Sequence, residues 1–229
     1  VTARNRFYQV PHCNGMGRTY PSSMAAMRGV KAEGGWAVIS TEQIDIHPTS
    51  DISPSSEGRL WSNQDVPYLA RMCDAVHEHN SLALIELTHN GKFAPNLYSR
   101  EVPMFPSHMP VVGSPWQCRA MDKSDIRDLR RWHRGLATIL ILGVTRSKEA
   151  GFDIICCYAG HNLSLAGQFM LPRYNKRTDE YGGSLENRIR LFRELIADAK
   201  DAVGDTCGVA IRFAVDNLDV DAGITIEGD

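Results

Sequence analysis

Phe152-Asp-Ile-Ile-Cys-Cys157, followed directly by Tyr158-Ala-Gly-His161, is the stretch that decides the fold class of this 229-residue chain. Its first six residues are apolar nearly throughout, which is typical of a strand buried on both faces of a parallel sheet. Polar residues follow at the point where the strand ends. A short buried strand followed by polar residues is typical of α/β proteins whose functional residues lie at one edge of the sheet.

The same pattern recurs along the whole chain. It predicts strands near residues 7–10, 37–41, 82–87, 152–157 and 208–213. The stretches between them predict helices over 22–33, 65–79, 123–150 and 184–203, with Ser184 as an N-cap and Gly204 as a C-terminal stop. The predicted order is a strand and a helix repeated about four times, followed by a fifth strand.

Polar and special residues gather at the predicted strand ends, at 11–13, 42–43, 86–89, 158–161 and 212. This clustering fits a (β/α)8 barrel and also a doubly wound open sheet. The pair Gly15-Met-Gly17 lacks the third glycine of a dinucleotide-binding turn, so the sequence favours the (β/α)8 TIM barrel. A closed barrel needs eight strands and typically about 250 residues. We therefore expect residues 1–229 to be the N-terminal part of a single barrel domain, and a fragment of a longer protein.

Composition excludes several function classes. The 25 Lys and Arg residues stand against 27 Asp and Glu residues, and no basic cluster indicates a nucleic-acid partner. The longest apolar run, 136–144, is far shorter than a membrane span of about 20 residues, so we expect a cytoplasmic protein. The six cysteines have no repeated pair spacing that would predict a zinc site or a disulfide framework.

Four longer motifs add a resemblance to a known family. They are Arg4-Asn-Arg6, Lys31-Ala-Glu-Gly-Gly-Trp36, Glu86-Leu-Thr-His-Asn-Gly91 and Asn175-Lys-Arg-Thr-Asp-Glu-Tyr-Gly-Gly-Ser-Leu-Glu-Asn-Arg188. Together they resemble the old yellow enzyme family of FMN-dependent barrel oxidoreductases. The stretch Phe7-Tyr-Gln-Val-Pro-His-Cys13 resembles the branch of that family with trimethylamine, dimethylamine and histamine dehydrogenases.

The resemblance implies that the barrel domain of residues 1–229 binds FMN and belongs to a longer multidomain enzyme. It assigns four residues to the cofactor. It implies that Pro11 and Cys13 lie at the flavin, with a covalent link from the Cys13 sulfur to carbon 6 of the ring. It also implies that Glu86 faces the pyrimidine edge, and that Arg212 stabilises negative charge on reduced flavin. Three other interpretations stay open: Cys13 as an inert thiol, Glu86 as a solvated residue at a loop start, and Arg212 as the partner of a nearby carboxylate.

The resemblance also implies a substrate side. Tyr158 and His161 match the pair that lines the flavin and tunes amine protonation in the amine dehydrogenases. His89 is expected to line the site or to be structural. At Gln43 the trimethylamine enzyme has an aromatic side chain, so the amide predicts a secondary amine or a histamine-like primary amine, unless Gln43 only supports its neighbours. Trp36, Trp61, Trp116 and Trp132 are expected to be packing residues.

The predicted activity is therefore the FMN-dependent oxidation of a small amine to an imine that hydrolyses. In the full-length enzyme, electrons are expected to pass through a [4Fe-4S] cluster, held outside these residues, to an electron-transferring flavoprotein. A homodimer is expected. Two alternatives remain: an NAD(P)H-dependent ene or dienoyl reductase, and a truncated non-catalytic fragment.

One departure from the family pattern concerns a helix. The stretch 131–149 is longer than the pattern by roughly seven residues, about two helical turns. We predict that this helix protrudes beyond its neighbours or breaks.

Overall fold

A computed structural model of the chain describes residues 1–53, 55–110, 115, 117–138 and 150–216. Its centre is a parallel sheet. The strands are β1 (Tyr8–Gln9), β2 (Val38–Asp45), β3 (Gly58–Arg59), β4 (Leu82–Thr88), β8 (Ile154–Ala159) and β9 (Gly208–Phe213). The strand order is β1-β2-β4-β8-β9, with β3 paired to the end of β2.

The strand order distinguishes between the two folds that the sequence left open. Each of the five main strands pairs in parallel with the next one along the chain, without a reversal of direction. A doubly wound sheet would reverse its order at a switch point, whereas a barrel does not. The described strands and helices have the architecture of half of a (β/α)8 barrel, which confirms the predicted fold class.

The helices cover the outer face of the sheet. They are α1 (Pro21–Glu33), α2 (Val66–His77), α3 (Lys123–Thr138), α4 (Leu165–Met170), α5 (Leu185–Arg188) and α6 (Arg190–Val203). Ser184 caps α5 by accepting a hydrogen bond from the Asn187 N–H, as predicted. The predicted single helix 184–203 is interrupted at Ile189, and Gly204 ends α6 with a φ of 50°. The rest of the predicted helix 123–150, with most of the stretch predicted to protrude, lies outside the described residues.

Side-chain parity separates the two faces of the sheet. Leu87 and Cys157 are paired neighbours that point outward into the large apolar cluster beneath the helices. Glu86 and Cys156 are also paired neighbours, and they point to the inner face. There a smaller apolar cluster is built on Val38, Leu84 and Cys156. Side chains alternate between the two faces of a strand, so the inner face has its own set of residues. On that face, apolar residues lie towards the amino ends of the strands and polar residues lie towards the carboxyl ends.

The long motif at 175–188 has a structural role. Asn175 donates from its amide to the backbone oxygens of Phe169 (2.7 Å) and Tyr181 (2.6 Å). Arg177 donates to the Asp179 carboxylate and to the Pro106 carbonyl oxygen. These bonds hold the connection between α4 and α5 against the small sheet of β5 (Met104–Phe105), β6 (Met109–Pro110) and β7 (Gln117–Ala120). The sequence did not predict that small sheet.

None of the helices among the described residues is long and apolar enough to span a bilayer.

Candidate functional site at the carboxyl edge of the inner face

Four of the predicted site residues lie in register at the carboxyl edge of the inner face. Gln43 of β2 is the paired neighbour of Glu86 of β4. Tyr158 of β8 is the paired neighbour of Arg212 of β9. Because paired residues of parallel strands share a face, these side chains converge on the space inside the half-barrel.

Glu86 and Arg212 form the central ion pair of the site. The Arg212 Nη1 atom lies 3.2 Å from both Glu86 carboxylate oxygens. Glu86 is 1% exposed, and its burial raises the pKa of the carboxyl to about 7, although the guanidinium opposes that rise. The interpretation of Arg212 as the partner of a carboxylate therefore describes one of its contacts.

Arg212, in β9, also contacts the segment that follows β1. Its Nη1 atom donates to the Pro11 carbonyl oxygen at 3.1 Å, and its Nη2 atom lies 3.4 Å from Nε2 of His161. The guanidinium carbon lies 5.3 Å from the centre of the Tyr158 ring. One cation thus connects Pro11, Glu86, Tyr158 and His161, all of which the sequence placed in the site.

Tyr158 and His161 form a hydrogen-bonded pair, with 2.7 Å between the phenol oxygen and Nδ1. A guanidinium can only donate, so Nε2 accepts from Arg212 and the ring proton on Nδ1 is donated to the phenol oxygen. His161 and Asn162 adopt φ values of 56° and 57°, a left-handed turn that is uncommon for residues other than glycine. Burial, followed by the charge of Arg212, lowers the pKa of His161, so the imidazole is neutral near pH 7.

Cys13 lies beside two carboxylates. Its thiol donates to Glu57 Oε2 at 3.5 Å, and its sulfur and one oxygen each of Glu42 and Glu57 all lie within 4.8 Å of one another. Cys13 is an exposed residue, but partial desolvation of its sulfur and the charge of Glu57 raise the pKa of the thiol to about 12. Burial and the same charge raise the pKa of Glu42 to about 7. Burial raises the pKa of Glu57, and the Cys13 and Gln43 side chains oppose that rise.

A buried arginine holds the loop that carries Cys13. Arg28 of α1 is fully buried and donates to the Gln9 side-chain oxygen (2.9 Å) and to the His12 carbonyl oxygen (2.9 Å). Desolvation lowers its pKa to about 10, so the guanidinium remains charged near neutral pH. Arg28 fixes the backbone on the residue before Cys13.

His89 is held in a separate structural cluster. It is buried, accepts a hydrogen bond at Nδ1 from the Gly91 N–H (3.1 Å) and lies 3.0 Å from the Thr49 hydroxyl through Nε2. Its ring is nearly parallel to that of Trp132, 6.3 Å away. Burial lowers the pKa of His89 to about 3, so it stays neutral. These contacts favour the structural interpretation of His89.

The other described tryptophans also have packing contacts. Trp132 stacks on His47 at 3.7 Å, Trp36 lies edge-on to Phe7 at 6.4 Å, and Trp61 contacts Arg59. Trp116 lies outside the described residues.

Three residues of the site were missed from the sequence. Glu42 stands in the polar pair after the second predicted strand, so a signal existed for it. Glu57 lies before β3 in a stretch without a helix or strand pattern. Arg28 occurs within a predicted helix, where a charged residue is usually exposed.

The sequence comparisons agree with this geometry. The chain belongs to the NADH:flavin oxidoreductase / NADH oxidase family, whose sequence model matches residues 1–228.

Three relatives illustrate the range of similarity. Dimethylamine dehydrogenase from Hyphomicrobium sp. (strain x) is 39% identical over 233 residues, covering 100% of this chain and 31% of the relative. NADPH dehydrogenase from Bacillus cytotoxicus is 31% identical over 205 residues, covering 88% of this chain and 56% of the relative. The solved structure of histamine dehydrogenase from Rhizobium sp. 4-9 superposes with a TM-score of 0.89 at 50% identity, covering 97% of this chain and 32% of that one. The chain thus spans about a third of the two amine dehydrogenases.

Proposed function

We propose that this protein is an FMN-dependent oxidoreductase that oxidises a small amine. The observation that carries the proposal is the network in which Arg212 joins Glu86, Pro11 and the Tyr158–His161 pair. The similarity to dimethylamine and histamine dehydrogenases supports the amine as substrate class.

The donor set suits the pyrimidine edge of a flavin. That edge offers an acceptor region at N1 and the C2 carbonyl beside a donor at N3–H. Arg212 supplies only donors and the ionised Glu86 only acceptors, and the two groups lie 3.2 Å apart on the inner face. These residues would hold the ring edge, with Arg212 at the acceptor atoms and Glu86 at N3–H.

Bound FMN supplies a two-electron acceptor for the C–H bond next to the amine nitrogen. Arg212 then places a positive charge where the ring gains negative charge. Because Glu86 has a pKa of about 7, its charge changes near neutral pH, and the net charge of the pair depends on pH.

Tyr158 and His161 control the protonation of the amine. The amine must be neutral to give up a hydride equivalent, whereas small alkylamines are cations in water. His161 is kept neutral and Arg212 is a nearby cation, so the pair disfavours an ammonium ion at this position. The Tyr158 oxygen accepts a hydrogen bond from the N–H of His161, so the phenol hydrogen can be donated to a polar group of the substrate.

Two further assignments belong to the proposal. Cys13 is the residue that attaches FMN covalently through carbon 6 of the ring. Gln43, an amide on the inner face, favours an amine that retains an N–H group, a secondary amine or a histamine-like primary amine, because its oxygen can accept that hydrogen. The Glu57 contact of Gln43 orients this amide.

We further propose that electrons leave the flavin through a [4Fe-4S] cluster outside these residues to an electron-transferring flavoprotein, and that the enzyme is a homodimer. The resemblance to the amine dehydrogenase branch is the support for this part.

The test is anaerobic mixing of the flavin-loaded protein, isolated at its natural length, with dimethylamine, histamine or NADPH. We expect an amine to bleach the flavin absorbance and NADPH to leave it unchanged. Rapid bleaching by NADPH alone would instead establish the alternative reductase, which the similarity to NADPH dehydrogenase favours.

A further inference from the structure

The inference concerns the two carboxylates beside Cys13, and it rests on the proposed attachment of FMN to that residue. The Cys13 thiol points at Glu57 and donates to its Oε2 atom at 3.5 Å. The backbone N–H of Gln43 faces the same sulfur. The Glu57 carboxylate can therefore accept the thiol proton, and the Gln43 N–H can hydrogen-bond the sulfur once that proton has left.

The surroundings of Cys13 make spontaneous ionisation difficult. Among the described residues, four charged or titratable groups surround it: Glu42 of β2, Glu57 directly before β3, Arg28 of α1 and Tyr158 of β8. Glu57 also acts electrostatically on Asp45 of β2. Partial desolvation of the sulfur and the negative charge of Glu57 keep Cys13 in its thiol form at neutral pH. Attack by this sulfur therefore requires a nearby base.

We propose that Glu57 is the base that accepts the Cys13 proton when the flavin is attached. The S–H bond breaks, the proton moves to Glu57 Oε2, and the electron pair stays on the sulfur and forms the bond to carbon 6 of the ring. The hydrogen on that carbon leaves as a proton. The two electrons released overall are taken by dioxygen, which becomes hydrogen peroxide. Thiol, FMN and dioxygen thus give the thioether and one peroxide.

Glu42 has a different role, although it lies in the same cluster. It accepts a hydrogen bond from the Asn14 N–H at 3.4 Å and is 3% exposed, whereas the thiol hydrogen bond goes to Glu57. Both carboxylates disfavour the thiolate by their charge, but only Glu57 is placed to take the proton. Glu42→Gln is therefore the matched control for Glu57→Gln.

The experiment measures covalent attachment after FMN and air are added to protein produced without flavin, isolated at its natural length. Intact mass gives the attached fraction with time between pH 5.5 and 8.5. Alkylation of Cys13 by iodoacetamide, in the same protein before FMN is added, gives the thiolate fraction independently.

We expect the wild-type attachment rate to rise with pH and level off once Glu57 is ionised. Glu57→Gln should attach FMN about a hundredfold more slowly at pH 7, and its rate should rise tenfold per pH unit without a plateau. Both Glu57→Gln and Glu42→Gln should speed alkylation, because each removes a negative charge. Only Glu57→Gln should slow attachment, and Glu57→Asp should restore part of the plateau.

An unchanged rate and plateau in Glu57→Gln would overturn the role of Glu57 while leaving attachment itself intact. Equal slowing in Glu42→Gln and Glu57→Gln would also overturn it, since a shared loss indicates a structural effect. A wild-type protein that never retains flavin after denaturation would overturn the attachment, and with it this inference.

Discussion

Two buried glutamates at the carboxyl edge of the sheet have similar raised pKa values although the charges beside them are opposite. Glu86 faces the guanidinium of Arg212, and Glu42 faces a second carboxylate, Glu57. Burial raises the pKa of each to about 7. At Glu86 the cation opposes that rise, whereas at Glu42 the like charge adds to it.

The carboxyl edge of the sheet is therefore divided into two ends with different chemistry. At the β8–β9 end, the site has a fixed cation and a neutral imidazole, which suits the stabilisation of negative charge on a ligand. At the β1–β2 end, it has a thiol and acceptors for a proton, which suits a bond-forming step. Arg212 connects the two ends through the Pro11 carbonyl oxygen.

The variant with the largest expected effect changes the β1–β2 end of the site and leaves the β8–β9 end intact. Cys13→Ser should abolish covalent flavin, because a serine hydroxyl is far less acidic and less nucleophilic than a thiol. The Arg212 end should still bind FMN reversibly and allow its reduction by an amine. Acid precipitation followed by absorbance of the supernatant checks this: free flavin is expected from the variant. Flavin that stays with the precipitated variant would contradict the assignment of Cys13.

The next effect tests whether Arg212 supports Glu86. Arg212→Met should lower the free energy of unfolding by about 2–3 kcal/mol at pH 8, because it leaves a buried carboxylate without its cation. At pH 5 the loss should be much smaller, since Glu86, with a pKa of about 7, is then protonated. Urea unfolding at the two pH values measures this. The double variant with Glu86→Gln is the control and should recover most of the loss at pH 8; failure to recover would show that the pair is not the cause.

A third prediction concerns His89, which lies in neither end. Its folded pKa of about 3 is below the unfolded value near 6.5, so the folded state binds fewer protons between these values. Stability should therefore fall as pH decreases from 6.5 towards 3, by up to about 1.4 kcal/mol per pH unit for this group. His89→Asn should remove that part of the slope in unfolding measurements at pH 7 and 5, while leaving amine-dependent flavin reduction within about twofold. A large loss of reduction rate would instead place His89 in the site.

The smallest effect tests the geometry of the Tyr158–His161 pair. A Cβ atom at Gly160 would lie 2.9 Å from Cε2 of the Tyr158 ring, so Gly160→Ala should displace the phenol. We expect amine-dependent flavin reduction to slow by about tenfold, since misplaced catalytic groups lose that much or more. Gly135→Ala is the matched control, because a Cβ there meets no atom within 4 Å. Equal rates in both variants would show that the phenol position is not critical.

Much of the fold followed from local patterns. The five main strands were predicted within a few residues, and residues 208–213 match β9 fully, because buried parallel strands have short continuous apolar runs. The strands β3, β5 and β6 have only two residues each and carry no periodic signal. The break at Ile189 was missed because the helical pattern continues across it.

The sequence predicted some residues of the site and missed others. Glu86, Tyr158 and Arg212 lie near the carboxyl ends of their strands, and His161 follows β8, so the parallel pairing of the strands brings them to one edge. Glu57 reaches Cys13 only through the path of the segment between β2 and β3, which no local pattern encodes. Arg28 is buried with its Nη1 and Nη2 atoms donating to the Gln9 and His12 acceptors, a tertiary arrangement that overrides the usual preference of arginine for the surface.

Covalent attachment of FMN to Cys13 is tested most directly by peptide mapping. The wild-type protein, isolated at its natural length, is denatured and digested before the mapping. We predict that FMN remains bound to the peptide containing Cys13, with the mass of FMN less two hydrogens added to that peptide. Free FMN in the denatured supernatant, together with an unmodified Cys13 thiol, would contradict it.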